Sequence, residues 1–107
     1  MRKRLPHRRR AITDTLRWPI EGGRRIHVTA GFAEDGRLLE VFLRGGGVVG
    51  SDRDHLLDDI AVLISRGLQH GDQLEQLAAG VGRLPGGGPA SLVGAVLDML
   101  SAIEADR

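Results

Sequence analysis

Between Leu43 and Asp52 the chain reads Leu43-Arg44-Gly45-Gly46-Gly47-Val48-Val49-Gly50-Ser51-Asp52, a glycine-rich junction between a strand-like run and a helix-like one. Backbone N–H groups at a helix start attract anions, and Gly45 to Gly50 followed by Ser51 has the G-x-x-x-x-G-S spacing of part of a phosphate loop. The lysine that a Walker loop sets between the last glycine and the hydroxyl is missing, however, and Asp52 and Asp54 bring negative charge to the place of the phosphate. The preceding strand also reads as half of a hairpin and not as part of a parallel βαβ unit. The balance favours a sharp strand-to-helix turn whose glycines permit unusual φ values. Gly45, Gly46, Gly50 and Ser51 would shape an anion-accepting turn in the other reading, and an ATP-hydrolysing site is not expected.

The other reactive side chains make no constellation. Of His7, His27, His55 and His70, only His55 has acids at helical spacing, Asp58 and Asp59. One imidazole and two carboxylates without a second cluster fit a solvated charged face better than a metal site. His70 falls at the end of its helix, where its positive form would suit the dipole. Ser51, Ser65, Ser91 and Ser101 have no His and acid in any recognised triad order. The 107 residues include no cysteine, which removes disulfides, thiolate metal sites, thiol nucleophiles and thiyl radicals. No catalytic residue, metal or cofactor is expected.

Charge is divided along the chain. Residues 1–25 hold nine Lys or Arg against Asp14 and Glu21, a balance of +7, and the remainder carries −6, so the net +1 hides a basic arm on an acidic body. Arg2, Lys3, Arg4, Arg8, Arg9 and Arg10 concentrate this charge within Met1–Arg10, around Pro6. Such a run can grip phosphates, an acidic partner, or the chain's own acidic surface. Against nucleic acid stand the 3% aromatic content and the lack of a helix-turn-helix pattern. No apolar run approaches the roughly 20 residues of a membrane span. The charged N-terminus also lacks the apolar segment of a secretory signal, so no membrane association and a cytoplasmic location are expected.

The elements that would position these groups follow from periodicity. The chain has the length of one domain, expected over residues 11–107 behind an arm over 1–10. Ala11 to Trp18 predicts a short strand ended by Pro19, with a turn at Glu21-Gly22-Gly23. From Arg25 to Phe32, Ile26, Val28, Ala30 and Phe32 alternate with His27, Thr29 and Gly31, the period of a half-buried strand. Glu34-Asp35-Gly36 predicts a hairpin turn and Leu38 to Leu43 the returning strand, with the first strand on the edge of the sheet. Leu56, Leu57, Ile60, Ala61, Leu63, Ile64 and Leu68 form one helical stripe with Ser51 as N-cap and Gly71 as the stop. Asp72 has the cap pattern of a second helix carrying Leu74, Leu77, Ala78 and Val81. Gly82 to Pro89 reads as a flexible connector, and Leu92, Val93, Val96, Leu97, Leu100 and Ile103 stripe a third helix. Strands first and helices second predict an α+β fold, a small antiparallel sheet of an N-terminal strand plus a hairpin with three helices packed on one face.

Six short stretches in order then carry a family likeness: Arg4-Leu5-Pro6-His7-Arg8-Arg9, Glu34-Asp35-Gly36-Arg37, Glu40-Val41-Phe42, Gly45-Gly46 to Gly50-Ser51, Leu68-Gln69-His70-Gly71 and Gly88-Pro89-Ala90-Ser91. Together they resemble the TSCPD domain, known as the C-terminal region of adenosylcobalamin-dependent ribonucleotide reductases and as short stand-alone proteins of bacteria and phages. The departures are specific. The naming signature contains a cysteine, where this chain has Ser91-Leu92, and reductase-attached versions carry others near the positions of Asp52 and Leu84. Lysine is common in the family's glycine turn, where Gly47-Val48-Val49 stands here.

The resemblance thus implies the fold and an association with ribonucleotide reductases and DNA synthesis, without redox activity. It points to a non-catalytic accessory or regulatory module whose partner is a protein, either a reductase chain or a second copy of itself. The alternative from the residues is a small nucleic-acid-binding regulatory protein that uses the basic arm. In both, Arg2, Lys3, Arg4, Arg8, Arg9 and Arg10 supply the contact.

Overall fold

The computed structural model describes residues 11–18, 24–45 and 52–106. Three strands, β1 (Ala11–Trp18), β2 (Arg24–Phe32) and β3 (Leu38–Gly45), precede three helices, α1 (Asp52–Gln69), α2 (Leu74–Gly80) and α3 (Leu92–Ala105). The sheet is antiparallel in the order β1-β2-β3, so the expected α+β arrangement is present and β1 is an edge strand. The proposed arm, the turn at Glu21-Gly22-Gly23 and Ser51 as N-cap lie outside the described residues. No described helix is long and apolar enough to cross a membrane.

Alternation along β2 decides which face is covered. Ile26, Val28, Ala30 and Phe32 are buried, and they meet Leu38, Val41 and Leu43 of β3 in one cluster with Leu57, Ala61, Ile64 and Leu68 of α1, Leu74 of α2, and Val96, Leu97, Leu100 and Ile103 of α3. No polar residue is buried among the described residues. A strict period of two would put Leu38 on the opposite face from Val41 and Leu43. The register resolves this: Gly31 pairs with Glu40 but Phe32 pairs with Leu38, so Leu39 is the extra residue of a bulge and the strand flips parity there.

The turn between β2 and β3 follows its sequence. Gly36 takes φ 91°, its N–H donates to the Ala33 carbonyl at 2.9 Å, and the Ala33 N–H donates to the Arg37 carbonyl at 2.8 Å. This is the three-residue hairpin in which a type I turn ends in a left-handed glycine. The Asp35 carboxylate accepts the Arg37 N–H at 3.0 Å and holds the turn from within.

Gly71 stops α1 as expected, and the bonds show how. At φ 105° it lets the Asp72 N–H reach the Gly67 carbonyl at 2.9 Å and its own N–H reach that of Leu68 at 3.1 Å, a Schellman closure. The next helix starts one residue later than the Asp72 cap predicts. Gln73 takes the extended cap conformation, and the Gln76 side chain accepts the Gln73 N–H at 3.2 Å. Asp72 is already committed to the closure of α1.

Two further expectations are corrected. Leu56 and Leu63, assigned to the core stripe of α1, are 57% and 69% exposed. They lie one position before Leu57 and Ile64, about 100° around the helix, and α1 covers only the sheet margin along β3. The segment 82–89 is not a loose connector. Arg83 and Pro89 form a bridge pair, the Leu84 N–H donates to the Gly88 carbonyl at 2.8 Å, and Gly87 takes φ 95° to close the turn. Arg83 then makes a two-pronged bond to Asp98 of α3 at 2.8 and 2.9 Å and donates to the Ala78 carbonyl at the end of α2 at 3.0 Å. One guanidinium fastens α2, the turn and α3 together.

Truncating Leu97 to Ala is expected to lower stability by about 2–5 kcal/mol, whereas Leu63→Ala should change it by no more than about 0.5 kcal/mol. Urea denaturation of the two variants makes the comparison. The Arg83 guanidinium bonded to Asp98 holds that carboxyl below its ordinary value. A carboxyl with a lowered folded-state pKa stabilises the fold above its unfolded pKa of about 4, and the contribution fades as pH falls through the folded value. Thermal melts from neutral pH down should therefore show Asp98→Asn less stable than the parent near pH 7, with the gap closing in acid.

Candidate functional site

The covered face leaves its opposite to solvent. Residues of β1 and β2 pair directly across the strands, so Thr13 faces Thr29, Thr15 faces His27 and Arg17 faces Arg25. On the other side Thr29 faces Phe42 and His27 faces Arg44. All these side chains project from the open face, in three rows: Thr13-Thr29-Phe42, Thr15-His27-Arg44 and Arg17-Arg25. The Thr13 and Thr29 hydroxyls bond each other at 3.0 Å, and the Thr15 hydroxyl lies 3.3 Å from His27 Nδ1. Phe42, at the β3 end of its row, is 60% exposed.

A groove borders this face where α1 runs beside β3. Thr13, His27, Thr29, Phe42 and Arg44 line its sheet side, and Asp54, Asp58, Val62, Ser65, Arg66 and Gln69 line its helix side, with a volume of about 1040 Å³. The helical residues recur every three to four positions, so they share the side of α1 turned toward the strand. Ser65 and Gln69 do more than line it. The Val41 N–H donates to the Ser65 hydroxyl at 2.9 Å, the hydroxyl lies 3.3 Å from the Val41 carbonyl, and the Gln69 amide donates to the Leu39 carbonyl at 3.2 Å. Outward-pointing backbone groups of β3 thereby find partners that a fourth strand would otherwise supply. The groove is broad and of mixed charge, a shape for a chain or a surface more than for an enclosed small molecule.

Of the basic arm and the glycine turn, only Gly45 is among the described residues, as the last residue of β3 opposite Ile26. Arg2, Lys3, Arg4, Arg8, Arg9, Arg10, Gly46, Gly50 and Ser51 lie outside them. His55, Asp58 and Asp59 are exposed on α1, and no group of three or more metal-binding side chains comes together among the described residues. Sequence reasoning missed Phe42, Arg44 and the Arg17–Arg25 pair. The alternation of β2 marked His27 and Thr29 as outward, but their neighbours depend on register. Replacing Ser65 by Ala removes the cap on Val41, and with the better helix propensity of Ala as a partial offset it should cost about 1 kcal/mol in a denaturant titration.

Comparison with known proteins adds the lineage. No solved structure matches the chain. The TSCPD domain model, in contrast, matches residues 2–103. With that match running from the basic N-terminus into α3, and with no cysteine anywhere in the sequence, this protein is a cysteine-free member of the TSCPD domain family.

Proposed function

We infer that this TSCPD domain is non-catalytic and works by binding a protein, as an accessory or regulatory module linked to deoxynucleotide synthesis. The observation that carries the reading is the solvent side of α1, where Leu56 and Leu63 stand exposed one heptad apart on a helix whose inner side already fills the core. Two large apolar side chains at that spacing make a seam for a partner helix or strand, and neither belongs to the core formed by the described residues. Reductase chemistry needs a thiyl radical and a reducing dithiol, and a chain without cysteine can supply neither. The family likeness points to a ribonucleotide reductase chain as the partner, with a second copy of this chain as the other occupant.

Light scattering separates these occupants. The reading expects either a dimer mass unaffected by salt, or a monomer that forms a defined complex when the reductase chain of the same host is added. Leu56→Lys with Leu63→Lys should abolish whichever complex forms while leaving the circular dichroism spectrum unchanged. A monomer that ignores the reductase, or a complex indifferent to both substitutions, contradicts it.

A further inference from the structure

The open sheet face contains an arrangement that works against folding. Arg17 and Arg25 are direct cross-strand partners, both exposed, and like charges so placed destabilise a sheet. Arg44 lies across from His27, the next outward residue of β2 after Arg25, so three guanidinium groups crowd one end of the face. Among the described residues no carboxylate forms a salt bridge with any of them. The acids of this side, Asp54 and Asp58 on α1 and Glu40 toward the other end of β3, lie along the groove margin and leave the β1 and β2 side positive. Phe42 precedes Arg44 by two residues, about 6.6 Å along the strand, and the Thr13 and Thr29 hydroxyls sit in its row.

We propose that this face binds single-stranded nucleic acid, with a base stacked on Phe42, the adjacent phosphates held by Arg17, Arg25 and Arg44, and the threonine hydroxyls available to the sugar or base edge. Charge selects a polyanion, and the exposed ring beside that charge selects one with flat faces to stack. A duplex keeps its bases inside the stack, and an acidic peptide gives the ring nothing to pair with. Face-to-face contact between two copies would bring the arginine clusters of both into one interface. Met1–Arg10, which precede β1 in the sequence, hold six more Lys or Arg and raise the positive charge of this half of the chain. This surface is separate from Leu56 and Leu63, so it stands or falls independently of the protein contact.

The test is fluorescence anisotropy of the full-length protein with a short labelled oligothymidylate at about 50 mM salt, against the matching duplex and inorganic polyphosphate as competitors. Binding should weaken steeply as salt rises. Phe42→Ala, an exposed position whose variant keeps the fold, should weaken binding by roughly 5- to 100-fold. Arg25→Glu should weaken it by a similar factor and reduce the salt slope, and the duplex should compete poorly. The proposal is overturned by the absence of binding at low salt. It is equally overturned if Phe42→Ala has no effect while neutralising Arg8, Arg9 and Arg10 abolishes binding, or if polyphosphate displaces the oligonucleotide as effectively as an unlabelled copy does.

Discussion

The structure depends on how the outer edge of β3 is closed. A three-stranded sheet has two edges, and an edge strand presents unpaired N–H and C=O groups that invite further pairing. Here β3 is lined by α1, and Ser65 and Gln69 bond the backbone of Val41 and Leu39. To make those bonds α1 must run along the strand at close range, and that placement brings Leu57, Ala61, Ile64 and Leu68 over the core. The same placement turns a polar side of the helix toward the open face and so builds the groove. One constraint thus fixes the position of the longest helix, completes the core and shapes the candidate site.

The covered face was largely legible in the sequence because it is periodic. Ile26, Val28, Ala30 and Phe32 announce a strand with one apolar side, Gly36 its turn, and Leu97 and Leu100 belong to an evident helical stripe. What stayed hidden were features set by contacts distant in the chain. The bulge at Leu39 leaves no mark in composition, yet it determines that Leu38 and Val41 share a face. Leu56 and Leu63 look like core residues because periodicity reports a helix side without saying what lies against it. Arg83 and Asp98 are fifteen residues apart, and nothing local pairs them. The site was less legible than the fold. Phe42, Arg44 and the Arg17–Arg25 pair become a group only through strand register, and the arm and most of the glycine turn lie outside the described residues.

A chain without cysteine has no thiol or thiolate chemistry, and its fold is held by other means. The core uses aliphatic side chains, and the connector that approaches α3 is fastened by an arginine–aspartate pair. Three surfaces remain for other work: the solvent side of α1, the open face of the sheet and the groove between them. None combines a nucleophile with a base or assembles a metal cluster among the described residues.

Native-state hydrogen exchange resolved at single amides tests the edge closure most directly. Val41 lies on an edge strand, but its N–H is bonded to Ser65 and covered by α1. This amide is expected to exchange as slowly as those in the centre of β2, and far more slowly than amides on the outer edge of β1. Exchange of Val41 at the rate of the β1 edge would mean that α1 does not seal β3, and the groove and its position would lose their physical basis.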